Sequence, residues 1–97
     1  MKIVVNKCYG GFHLTNKAKN KLAKAVGVKV GELWVEDYRE HPALVAIVEE
    51  MGAKAYDTNV SELVIVEIPD DATDWEFNEY DGFEEVIYVL NGKIHHA

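Results

Sequence analysis

The run Leu63-Val64-Ile65-Val66-Glu67-Ile68 puts apolar side chains at nearly every position. Successive side chains of a strand point to opposite faces, so a strand built from this run has both faces to cover. That requirement dominates what the chain can become. With 97 residues, 48% of them apolar, it has material for one domain (1–97) and none for a second. Pro69 marks the strand's end.

The rest of the pattern alternates. Residues 2–7 (KIVVNK) are rich in β-branched side chains and read as a short buried strand. Cys8–Leu14 follows as a loop. Thr15 sits where an N-cap belongs, ahead of a helix over residues 16–26 that Gly27 stops. Ala18, Leu22, Ala25 and Val26 share one face of that helix, and Lys17, Lys21 and Lys24 the other. Leu33-Trp34-Val35 reads as a second strand. Pro42 opens the clearest helix, with Leu44, Ile47, Val48 and Met51 in one stripe and Gly52 as its stop. Asp74–Tyr80 and Phe83–Leu90 flank Asp81-Gly82, a hairpin signal. Glu84 and Glu85 are weak strand formers, so a short helix is the alternative for the second arm.

Strands alternating with helices imply parallel pairing by right-handed crossovers. The expected fold class is therefore α/β: a small, single-layer, mostly parallel β-α-β-α-β sheet with a C-terminal β-hairpin, or a strand plus short helix.

Charge is segregated. Residues 1–31 hold seven lysines and no acid, whereas residues 32–97 hold 17 acids against Arg39, Lys54 and Lys93. The net charge of −7 argues against general affinity for nucleic acid or an anionic membrane. The lysine helix is either a solvated face or an anion contact. A single thiol, Cys8, excludes an intrachain disulfide. The apolar run near residue 1 is too short for a signal peptide, and no stretch approaches the roughly 18–20 apolar residues of a membrane span. The expectation is a cytoplasmic protein.

The opening MKIVVNKCYGGF resembles the start of a family of small uncharacterised proteins encoded in bacteriophages and prophages. The likeness continues at Arg39, Pro42-Ala43-Leu44 and Val48-Glu49-Glu50-Met51-Gly52. It returns at Val66-Glu67-Ile68-Pro69-Asp70-Asp71 and Tyr80-Asp81-Gly82-Phe83-Glu84-Glu85. It runs to about residue 86. His41 stands where that family has an aspartate, and the tail Asn91–Ala97 departs from the family's basic, aromatic ending. The resemblance implies a phage setting in a bacterial host and supplies no catalytic residue.

In an open parallel sheet, ligands bind beyond the carboxyl ends of the strands. On the expected fold that rule gathers Cys8, Tyr9, Gly10 and Gly11 with Arg39, Glu40 and His41, and with Asp70 and Asp71. Cys8 is a candidate nucleophile or a small buried apolar residue. His41 is a candidate acid/base or a turn residue. Gly10 and Gly11 either bring backbone N–H groups to a phosphate or form a tight turn. Arg39 either clamps an anion or pairs with Glu36, Asp37 or Asp70. Asp70 is a further ligand-binding candidate, or part of a polar turn. No nucleotide motif is present, the histidines lack zinc spacing, and neither a cofactor nor a metal is implied. His95-His96 reads as an exposed tail.

Three functions remain open. One is an acidic binding or regulatory module that contacts a protein partner or a second copy of itself, as in a homodimer. The alternative is a small enzyme or phosphate-ligand binder using Cys8–Gly11 with Arg39 and His41. A nucleic-acid role through the lysine helix is a third, weaker option.

Overall fold

The computed structural model describes residues 1–97. Strand β1 (Lys2–Asn6) leads to helix α1 (Asn16–Val26), two short 3-10 turns and helix α2 (Pro42–Met51). A further 3-10 turn then precedes strand β2 (Leu63–Glu67). The chain finishes with β3 (Asp74–Tyr80), β4 (Phe83–Leu90) and β5 (Lys93–His96).

Both helices begin and end as their sequences dictate. Thr15 Oγ1 accepts from the Ala18 N–H, and Gly27 ends α1 in the left-handed region at φ +79°. Pro42 holds the first turn of α2, and the His41 ring accepts from the Ala43 N–H. The buried residues of α1 are Ala18, Leu22 and Ala23, with Val26 half-buried and Ala25 turned outward.

The parallel sheet is not formed. β1 pairs antiparallel with β2, and β3-β4-β5 form a separate antiparallel sheet. The expected strand at Leu33-Trp34-Val35 accounts for the difference. Val30–Glu32 and Val35–Tyr38 curl into 3-10 turns, and Trp34 between them is 76% exposed. This segment gives the flank of β1 a single bond, from the Val4 N–H to the Arg39 carbonyl (2.8 Å). With no middle strand to build on, the helical region becomes one long connection. Its two ends return side by side, which is antiparallel pairing.

The apolar run does have both faces covered. On one side of the β1–β2 pair, Val4, Leu63 and Ile65 pack with Leu22, Leu44, Val48 and other residues of the helical layer. On the other, Ile3, Val5, Val64 and Val66 pack with Ile68, Val86 and Tyr88. The two-stranded pair is thus a middle layer between helices and the three-stranded sheet. Full burial of Ile3, Leu22, Leu44 and Val86 contributes about 1.5–3 kcal/mol each.

The C-terminal hairpin forms around Asp81-Gly82, and Glu84 and Glu85 lie within β4. The expected tail is a strand as well. Asn91 and Gly92 take φ of +53° and +74°, a two-residue turn that folds β5 back on β4.

Candidate functional site

Asn6, at the end of β1, is fully buried and links three parts of the chain. Its Oδ1 accepts from the Glu62 N–H (2.9 Å), and its Nδ2 donates to the Cys8 and Gly82 carbonyls (2.7 Å each). Its own backbone N–H donates to Glu84 Oε1 (2.8 Å). That carboxylate also receives Nη1 of Arg39, in a pair with little access to solvent. The Arg39 guanidinium lies between the rings of Phe12 and Phe77, 4.6 Å from each centroid, and Nη2 is 3.7 Å from Glu36. A charge removed from water this far needs both a counter-ion and hydrogen bonds, and here it has both.

Arg39 is therefore engaged rather than offered to a ligand. The pairing with Glu36 falls within sequence expectation; that with Glu84 does not. Among the other candidates, His41 caps α2 through Nδ1 (3.0 Å) and sets its ring edge-on to Tyr38. Asp70 is almost fully exposed and pairs with the Met1 ammonium (3.0 Å). Cys8 is half-buried, with its carbonyl held by Asn6. Asn6 links Cys8 to the Glu84–Arg39 pair, whereas His41 and Asp70 have separate partners.

Gly10 and Gly11 lie ahead of Thr15 and do not open α1. Their carbonyls are the engaged groups: that of Gly11 accepts from the Ser61 hydroxyl (2.6 Å), and that of Gly10 contacts the His13 ring (3.1 Å). A Cβ on Gly10 would meet the Val60 carbonyl oxygen at 2.0 Å, and one on Gly82 the Gly11 nitrogen at 2.5 Å. Both glycines let the Tyr9–Gly11 loop wedge between the Val60 loop and the hairpin tip.

That wedge brings Tyr9 onto two aromatic residues of the hairpin. Tyr9 lies against Phe83 (5.3 Å) and edge-on to Tyr80 (6.4 Å), with Lys7 Nζ over the Phe83 ring. Tyr9 is nevertheless 65% exposed and Tyr80 72%. Beside them is a shallow depression lined by Gly10, Gly11, Glu79, Asp81 and Gly82. The available signal was Asp81-Gly82 between aromatic neighbours, which fixes the hairpin but not its contact with residue 9.

Outside this region, Glu85 is held below the usual carboxylate range, first by the hydrogen bond from Asn78 and then by His96. No group of three or more His, Cys, Asp or Glu side chains is placed to hold a metal ion, and no helix is long and apolar enough to cross a membrane. No protein family, no curated protein and no solved structure matches the chain.

Proposed function

We propose that this protein is a binding module that acts by contact with a protein partner, in a phage-related setting within the bacterial cytoplasm. The observation that carries the reading is the Tyr9–Tyr80–Phe83 cluster. Its two tyrosines face solvent, Tyr9 from the loop after β1 and Tyr80 from the hairpin, although their neighbours are packed closely enough to require glycine at two positions. Tyrosines held in place with little conformational freedom are well suited to contact surfaces. The carboxylates of Glu79 and Asp81 beside them favour a basic partner.

The enzyme or phosphate-binding alternative ranks behind it. Its arginine is bound to Glu84 and its histidine to a helix terminus.

The test is a Tyr9→Ser/Tyr80→Ser double variant. Both positions are exposed, so the variant folds. The expected result is that proteins cross-linked to the wild-type chain in the host lysate are lost from the variant. Identical cross-linked species for both chains, or none for the wild type, would overturn the reading.

A further inference from the structure

β3 is the outer strand of its sheet and the most exposed of the five strands, with only Trp75 half-buried. A free strand edge offers unpaired N–H and C=O groups to any extended chain, and proteins block such edges with bulges, prolines, lysines or very short strands. β3 is long, has no proline and no lysine, and the one such device it carries is charge, all of it acidic. It runs seven residues, Asp74-Trp75-Glu76-Phe77-Asn78-Glu79-Tyr80, in unbroken one-to-one register with β4. The two-residue turn makes Tyr80–Phe83 a hydrogen-bonded pair, so by alternation the backbone groups of Trp75, Phe77 and Glu79 face the open side. The Trp75 N–H is met there by its own Asp74 side chain (2.9 Å).

What the edge does carry is charge of one sign: Asp74, Glu76 and Glu79, with no cation in the strand. Two copies joined edge to edge would set acids beside acids. Of the strands a second copy could offer, β1, which holds Lys2, is already paired with β2, and β5, the sheet's other edge, is only four residues long with Lys93 as its single lysine, too short and too weakly charged to match three acids along seven residues. From this we infer that β3 accepts a basic, extended segment of a different protein as an additional strand. This rests on the binding-module reading and specifies the partner: main-chain bonds to Phe77 and Glu79, cationic side chains beside Asp74 and Glu76, and apolar ones beside Trp75 and Phe77.

The probe is a blocked eight-residue peptide alternating Lys and Val, titrated into the isotope-labelled full chain. The expected result is movement of the Trp75, Phe77 and Glu79 amide signals, with binding that weakens as salt rises. Glu76→Lys should weaken it about tenfold, whereas Glu32→Lys, the same charge change on a distant turn, leaves it unchanged. A peptide N-methylated at every residue, which has no N–H on either edge, should not bind. No binding, equal binding to Glu76→Lys, or association of the chain with itself through β3 would each overturn the inference. Shifts confined to Tyr9, Tyr80 and Phe83 would overturn it too, while leaving the binding-module reading in place.

Discussion

Arg39 and Glu84 lie 45 positions apart in sequence and meet in the interior, the guanidinium between Phe12 and Phe77 and the carboxylate also bound to the Asn6 N–H. The pair fastens the turn before α2 to the sheet on the far side of β1. Removing either partner strands a buried charge. Arg39→Ala should therefore lower unfolding free energy by about 3–5 kcal/mol, measured by urea denaturation. Arg39→Lys should recover only part of this, because a lysine has no planar group to stack between two rings. Full recovery by lysine would show that the charge alone matters.

Asn6→Ala should be costly for its size. It leaves the Glu62 N–H and the Cys8 and Gly82 carbonyls without their partner, at about 1–3 kcal/mol for a buried group left unpaired. Hydrogen exchange at the Glu62 amide should accelerate more than at amides within α1. Uniform acceleration would point instead to a global loss of stability.

Gly10→Ala should destabilise the chain although it adds one methyl group. The new Cβ collides with backbone at Val60, which cannot rotate away. Overpacking of this kind costs about 1–3 kcal/mol, and the melting temperature should fall accordingly. Gly27→Ala is the contrast: the site is open, so strain at φ +79° is the sole penalty.

Glu85 links stability to pH. Its folded-state pKa is lowered by the Asn78 hydrogen bond and then by His96. A lowered carboxylate contributes stability that is fully present above its unfolded pKa and lost as pH falls through the folded one. Asn78→Ala should move the Glu85 titration, followed by carbonyl NMR, upward toward the ordinary carboxylate range. An unmoved titration would assign the shift to His96.

Local features of this chain were readable because local chemistry decides them. Thr15, Gly27, Pro42 and Gly52 bound the two helices at the residues expected, and Asp81-Gly82 turns the hairpin. Asn91-Gly92 carries an equally strong turn signal, passed over because the residues beyond it looked like a tail. The strand expected at Leu33-Trp34-Val35 failed for a different reason. β-branched and aromatic composition describes a side chain's fit to a pleated surface, and this segment meets β1 only through the Arg39 carbonyl and leaves Trp34 in solvent.

The candidate site shows the same division. Glu84 and Glu85 looked out of place in a strand, and Glu84 is the buried partner of Arg39. A residue that breaks a local rule marked a tertiary contact, without naming the other half of it. By itself, the sequence determined the helices, their caps, the turn at Asp81-Gly82 and the need to cover both faces of the Leu63–Ile68 run, since each follows from residues within a few positions of one another. Only the tertiary structure decided that β1 and β2 run antiparallel, that Arg39 is locked to Glu84, and that Tyr9 reaches Tyr80 and Phe83. Those outcomes depend on which distant segments close over one another, and short-range periodicity carries no record of that choice.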